Sequence, residues 1–290
     1  MSGGNAVVLT RQLALAAHAL FMRKIRSQSL LPLSAILIPL LFLSLISQAE
    51  SPLAQAAARG RTFLTSLFDP QLDLLPEFQG AKNFWLYHDN YLAAKVLSKT
   101  HPEISAKIMA AIHRESTDQD SKAKILFNES KQPLPFRHYQ LTDVRRLTNG
   151  IIRTEIITPN VMAGWTNYAD LLLLACIAET NQSKAREDWD AAMILWDGNG
   201  FMDAAARTQK DYATYKLGLA AIAAGRLHLE SKLPRNLLKK LLSLQSPSGG
   251  WITDYDGNGK EIGVANVETT CLCILGIEEM AGTSNVQTFR

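Results

Sequence analysis

The chain has 290 residues, of which 47% are hydrophobic and 20% are charged, so it can bury a large core in one big domain or two modest ones. Its formal net charge of +3 comes from four basic residues near the N-terminus, Arg11, Arg23, Lys24 and Arg26, because no acidic residue precedes Glu50. Without those four, 26 basic residues face 27 acidic ones, so the body lacks the basic surface on which nucleic-acid binding depends.

The first segment, residues 1–49, has the pattern of an export signal or membrane anchor. An uncharged apolar run at 29–46 follows the basic stretch MRKIRSQ, and Ser47-Gln48-Ala49 supplies small residues at the positions that a signal peptidase reads. Pro32 and Pro39 weaken a membrane-spanning helix, but a retained anchor is the alternative. The sequence therefore predicts an extracytoplasmic protein, secreted or attached to the membrane through this segment.

The body, residues 50–290, is dominated by apolar helical segments that share an opening. A polar residue, usually beside an aromatic one, precedes each apolar run: HDNY before LAAKVL, NYAD before LLLLACIA, DY before ATYKLGLAAIAA, and NVE before TTCLCILGI. More amphipathic helices alternate with these segments, as expected for inner and outer helices of a stacked array. Stacked helical hairpins would bring the shared openings together at one end.

One stretch, about 136–158, has the composition of β-strands instead of helices. Branched and aromatic residues surround Asn149-Gly150, the dipeptide that best suits a type I′ turn. The sequence predicts a β-hairpin inserted among the helices. This hairpin either covers a site or is exposed to solvent without a functional role.

Short motifs in this body resemble those of known families. Gln245, Gly249 and Trp251 fit the QxxxGxW pattern of squalene and oxidosqualene cyclase repeats, and SGGW followed by VETTCLCILGI is similar to the repeat of protein prenyltransferase β subunits. With NYADLLLL and DYATYKLGLA, residues 80–280 resemble the α/α-toroid group, which also includes six-hairpin glycosidases and polysaccharide lyases. The resemblance implies an all-α fold, a complete or incomplete α/α toroid. The cyclase DxDD motif and the prenyltransferase zinc set are both missing, so no specific family is indicated.

Four carboxylates at the shared openings, Asp89, Asp170, Asp211 and Glu268, are the candidate catalytic residues. Glycoside cleavage needs two carboxyl groups that face each other across a cleft. The alternative is structural, because acidic residues at helix starts also cap helices and interact favourably with the helix dipole.

Aromatic residues beside the same openings could supply stacking platforms for a sugar ring or an isoprenoid chain. The candidate ligand-binding residues are Trp85, Tyr87, His88, Tyr91, Trp165, Tyr168, Tyr212 and Tyr215.

No metal or cofactor is predicted from the sequence. The cysteines Cys176, Cys271 and Cys273 lack zinc-site spacing. The loop from Asp254 to Gly259 begins like a calcium loop, but Ala265 stands where the bidentate glutamate is needed, which favours a simple Asx/Gly turn.

Three functions are consistent with these patterns. The first is an exported domain that binds, and can hydrolyse or cleave, a carbohydrate-type ligand in an axial cleft, in the manner of a glycoside hydrolase or polysaccharide lyase. The second is a non-catalytic domain that holds a partner or a hydrophobic small molecule. The third is an isoprenoid-handling protein of the terpene-cyclase type.

Overall fold

A computed structural model of the chain describes residues 51–81, 84–115, 120–130, 136–147 and 150–286. The predicted export segment, including the apolar run 29–46, lies outside the described residues. Within those ranges no helix combines the length and the apolar character that a membrane crossing requires.

Ten α-helices form within the described ranges. They are α1 Pro52–Ser66, α2 Tyr87–Leu97, α3 Pro102–Glu115, α4 Lys122–Ile125, α5 Ala169–Ala178, α6 Gln182–Ile194, α7 Ala204–Gln209, α8 Tyr215–Arg226, α9 Leu237–Ser243 and α10 Val267–Val286. Helices α5 and α8 are buried over most of their length, which fits their apolar sequences.

Six strands form two three-stranded sheets in the same part of the chain. The strands are β1 Phe84–Leu86, β2 Arg137–Leu147, β3 Gly150–Val161, β4 Tyr212–Ala213, β5 Ile252–Tyr255 and β6 Glu261–Ala265. The first sheet has the order β1-β3-β2, with β1 parallel and β2 antiparallel to β3, and the second is an antiparallel sheet of order β4-β5-β6.

The prediction of an all-α toroid is wrong. About 52% of the structure is helical and 20% is strand, so the fold is mixed α/β with two small sheets. The long strands β2 and β3 lie where Asn149-Gly150 indicates a hairpin, but this hairpin is part of a sheet that also contains β1. The second sheet was missed because its strands have only two to five residues and one of them contains Gly263.

The first sheet fixes the start of α2. Strand β1 leads directly into α2, and Leu86 pairs with Arg153 of β3 in a parallel register. Glu155, two residues further along β3, is near enough to His88 for its charge to raise the pKa of that imidazole. The sheet thus joins the hairpin to the first turn of α2.

The second sheet fixes the starts of α8 and α10. Strand β4 leads into α8, where Thr214 N–H donates to the carbonyl of Thr253 in β5 at 2.8 Å. Strand β6 leads into α10, and Val267 N–H donates to the carbonyl of Glu77 at 2.9 Å. Both helices therefore begin at positions set by hydrogen bonds to other parts of the chain.

The QxxxGxW motif forms a packed turn before β5. Trp251 is fully buried, and its indole N–H donates to the carbonyl of Leu241 at 2.7 Å. Gln245 donates to the carbonyls of Ala56 and Gly249, the latter at 2.7 Å. The motif is accounted for by packing and hydrogen bonding, and its residues face the core.

The turn between β5 and β6 is closed by Asp256. Its Oδ1 accepts hydrogen bonds from the N–H groups of Asn258 and Lys260, both at 2.9 Å. This local hydrogen bonding is that of an Asx turn.

Glycines allow α8 and α10 to pack with their backbones in contact. A Cβ atom at Gly276 of α10 would lie 2.7 Å from the carbonyl oxygen of Gly218 in α8 and 2.9 Å from the Cβ of Ala221. Because such distances are below van der Waals contact, any larger residue must push the helices apart.

We expect Gly276→Ala to destabilise the protein by about 1–3 kcal/mol, because the added methyl group overpacks this contact. Gly282→Ala is a control in the same helix, since a Cβ there meets no atom within 4 Å. That change should leave the unfolding free energy unchanged or raise it by up to about 1 kcal/mol. Urea unfolding of both variants measures the difference, and equal stabilities would show that the helices are not in close contact at Gly276.

Candidate functional site

A cavity of about 230 Å³ lies where α2, α5, α8 and α10 begin. Its polar lining includes one residue from the first turn of each: His88 of α2, Asp170 of α5, Tyr215 of α8 and Glu268 of α10. The segments that share a polar opening in the sequence therefore meet at one cavity, although the fold that brings them together is not a toroid.

Each of these four polar residues is followed four positions later by a leucine that also lines the cavity. The leucines are Leu92, Leu174, Leu219 and Leu272. Residues four apart lie on the same face of a helix. Each helix therefore presents one polar and one apolar side chain to the cavity, which suits a ligand with both hydroxyl groups and C–H surfaces.

Two cavity residues were missed by the sequence analysis. Lys122 of α4 lines the cavity together with Leu126 and so repeats the spacing of a polar residue and a leucine four positions apart, a signal that could have found it. Glu155 of β3 also lines the cavity. It gave no comparable signal, because its position depends on the parallel pairing of β3 with β1.

The carboxylates of Asp170 and Glu268 do not cap their own helices. Asn266 caps α10, accepting from the N–H of Thr269 at 2.9 Å. The first N–H of α5, that of Ala169, donates to Asp203 at 3.0 Å. Capping by other residues leaves both carboxylates to face the cavity. One Asp170 oxygen accepts a hydrogen bond from the Tyr215 hydroxyl at 3.2 Å.

The buried carboxylate of Asp203 joins the starts of three helices. It accepts from Ala169 of α5, from Ala205 and Ala206 of α7 at 3.1 and 3.0 Å, and from Lys216 of α8 at 2.6 Å. Burial alone raises the pKa of Asp203, but the hydrogen bond and charge of Lys216 and the backbone donors outweigh it, so the pKa is lowered. Because Ala169 and Lys216 adjoin Asp170 and Tyr215, this carboxylate positions both cavity residues.

His88, Asp89 and Glu268 form a compact cluster. Each offers one nitrogen or oxygen atom, and these atoms all lie within 4.8 Å of one another. Asp89 is 1% exposed, and its Oδ1 is 3.2 Å from Nε2 of His88. Within the described part of the chain neither Asp89 oxygen has a hydrogen-bond partner, nor does Nδ1 of His88.

Burial, together with the concentration of acidic groups, perturbs the pKa values in the cluster. Burial, followed by the charges of Glu268 and other carboxylates, raises the pKa of Asp89 well above its usual range, although His88 opposes this. Burial also raises the pKa of Glu268, with Glu155 and Asp170 adding to the effect. Burial lowers the pKa of His88, but the neighbouring carboxylates outweigh it and the net shift is upward.

The helix starts reduce the cost of this negative charge. Each helix N-terminus carries a partial positive charge that stabilises nearby anions, typically by about 0.3–1 kcal/mol. Asp89, Asp170 and Glu268 all occur in first turns. The arrangement explains why acidic side chains can be gathered around a small cavity.

Most of the other predicted site residues do not line the cavity. Asp211 lies near Asp254, whose pKa is raised by burial and, to a lesser extent, by the charge of Asp211. Trp85, Tyr87 and Tyr91 are buried, with Tyr91 donating to Glu129 at 2.6 Å.

The remaining aromatic candidates also pack elsewhere. Trp165 packs edge-on against Phe136, with ring centres 5.3 Å apart, and Tyr168 is half-buried against the core. Tyr212 is buried and donates to Asp197 at 2.5 Å. None of these residues lines the cavity described here, so Tyr215 is the aromatic residue of the predicted set that does.

We expect Asp203→Asn to lower the free energy of unfolding by about 3–5 kcal/mol at neutral pH, because it leaves Lys216 buried without its counter-charge. The lowered pKa means that this stabilisation is complete above the unfolded-state value of about 3.9 and is lost as the pH falls through the folded-state value. Urea unfolding over a series of pH values should show the gap between wild type and variant closing in acid.

The exposed Asp190→Asn is the control, with an expected change below about 0.5 kcal/mol. A gap between wild type and Asp203→Asn that stays constant down to the acid limit would contradict the assigned ion pair.

No family model, no curated protein and no solved structure matches the chain.

Proposed function

We propose that the cavity binds one unit of a carbohydrate-type ligand and that the protein cleaves it by hydrolysis, with Asp170 as the general base. The observation that carries the proposal is that Asp170 and Glu268, from different helices, line one small cavity together with Glu155 of the hairpin. The carboxylates are acceptors for ligand hydroxyl groups, and the leucines offer an apolar surface for the C–H groups of a sugar ring.

The size of the cavity supports a small ligand. Its volume of about 230 Å³ is below the roughly 300–1,000 Å³ of pockets that take drug-sized molecules. One sugar unit is therefore the appropriate size class. With the predicted export segment, that ligand would be extracytoplasmic.

The hydrogen bond from Tyr215 gives Asp170 a fixed orientation. As general base, Asp170 takes a proton from a water molecule that attacks the anomeric carbon, and the bond from that carbon to the leaving oxygen breaks. The leaving oxygen needs a proton or an electrophile on its side of the ligand. The acidic and basic groups on other elements that line the same cavity are His88, Lys122, Glu155 and Glu268.

The two alternative functions receive less support from this cavity. An isoprenoid chain would require an apolar, largely uncharged site, whereas three carboxylates line this one. A purely non-catalytic domain has no need for an oriented carboxylate at the cavity. Ligand binding without cleavage is nevertheless a distinct outcome of the experiment below.

We expect the full-length protein to release p-nitrophenol from at least one member of a panel of p-nitrophenyl glycosides. Asp170→Asn should lower kcat for that substrate by a factor of about 10² or more, because an amide cannot accept the proton. Asp211→Asn is the matched control, since Asp211 has the same predicted role in the sequence but does not line the cavity. Its kcat should stay within about twofold of wild type.

Equal activity of Asp170→Asn and wild type would show that Asp170 is not the base. Sugar binding by calorimetry with no cleavage of any member of the panel would favour the non-catalytic alternative. Neither binding nor cleavage would contradict the proposed function.

A further inference from the structure

In the part of the chain that the structure describes, two carboxylates are almost completely buried, and their surroundings differ sharply. Asp203 is 0% exposed and accepts four hydrogen bonds. Asp89 is 1% exposed and, within the described ranges, accepts none. Burying a charged group without hydrogen bonds is costly, so such a group either takes up a proton or requires a compensating partner. The described chain supplies that partner fully for Asp203 and only through the nearby imidazole of His88 for Asp89.

The atoms around Asp89 suit a metal ion as this partner. The donor atoms of His88, Asp89 and Glu268 lie within 4.8 Å of one another. Bonds of about 2.0–2.2 Å from a first-row ion to nitrogen and oxygen place donor atoms roughly 3–4 Å apart. Small rotations of the His88 and Glu268 side chains, both of which line the cavity, are enough to close this difference.

We propose that His88, Asp89 and Glu268 bind a divalent first-row metal ion, of the Mn²⁺ or Zn²⁺ class, at the edge of the cavity. An imidazole favours the transition metals, whereas carboxylates also accept Mn²⁺. The mixed set of one nitrogen and two carboxylates therefore selects against Ca²⁺ and Mg²⁺, which prefer oxygen ligands alone. Asp89 contributes the independent evidence, because its unpartnered oxygens belong to the same cluster as the two cavity side chains.

Three protein ligands leave coordination positions open toward the cavity, as in catalytic metal sites. The role of the ion in catalysis rests on the proposed function. In that reaction the ion is the electrophile that the cleavage needs, because it binds the leaving oxygen while Asp170 removes the proton from water. The carbon–oxygen bond breaks with its electron pair on the leaving oxygen, which later takes a proton from solvent. No oxidant or reductant is required.

The test is a titration of the full-length protein with Mn²⁺, in which the electron paramagnetic resonance signal of the free ion reports binding. We expect wild type to bind one ion per chain, and Asp89→Asn and Glu268→Gln each to weaken binding by at least about tenfold. Asp190→Asn should bind as wild type does, because Asp190 is exposed and lies outside both the cavity and the cluster. Circular dichroism shows whether each variant is folded, and Glu268→Gln, at a half-buried position, is the one that least disturbs the core.

Absence of binding by the wild type, or wild-type affinity in both Asp89→Asn and Glu268→Gln, would overturn the proposal. The second result is expected if Asp89 is satisfied by a proton alone. Failure of the metal site and failure of the function are distinguishable. Glycoside cleavage that persists after chelation would refute the ion as the electrophile and keep the hydrolase, whereas Mn²⁺ binding without cleavage would keep the ion and refute the hydrolase.

Discussion

Compensation of buried carboxylates is the constraint on which this structure depends. The Asp203 carboxylate is compensated within the chain by Lys216 and by three backbone N–H groups from two helices. Because those donors belong to α5, α7 and α8, one side chain determines how three helix starts lie relative to one another. The Asp170 and Tyr215 side chains take their places beside the cavity as a result. A polar contact in the core thus sets the geometry of a functional surface.

The need to compensate a buried carboxylate has a different consequence in the cluster around Asp89. Its carboxylate is as deeply buried as that of Asp203, yet it has only His88 at 3.2 Å and no hydrogen bond from the described residues. Helix N-termini reduce the cost of the surrounding negative charge but do not remove it. Proteins usually satisfy their buried polar groups, and exceptions concentrate at functional sites. The contrast between these two aspartates connects the fold to the proposed chemistry.

The sequence predicted the cavity better than it predicted the fold. The openings at His88, Asp170 and Glu268 were identified from local composition, because a polar first turn before an apolar helix is a pattern within one segment. Capping, the expected alternative role of the acids, is carried out by Asn266 and Asp203 instead. The polar residue and the leucine four positions later are readable from sequence alone, and Lys122 could have been found in that way.

What the sequence could not provide is pairing between distant segments. The position of Glu155 depends on the parallel register between β1 and β3. The positions of Tyr215 and Glu268 depend on strands of two to five residues in the second sheet. Such short strands form only because a partner strand satisfies their backbone groups, so local propensity does not reveal them. Aromatic residues such as Tyr91 and Tyr212, which the sequence favours as ligand-binding residues, are buried and do not line this cavity. Local sequence does not separate the two roles, since core packing and ligand stacking favour the same residue types.

If an ion from outside the chain compensates the buried carboxylate of Asp89, that ion should be visible in crystals. Anomalous diffraction from crystals soaked in Mn²⁺ tests it most directly. We expect an anomalous peak at the edge of the cavity, within about 2.0–2.3 Å of a His88 nitrogen and of Asp89 and Glu268 oxygens. A map without a peak at these residues, in crystals where Mn²⁺ is bound elsewhere on the surface, would contradict it.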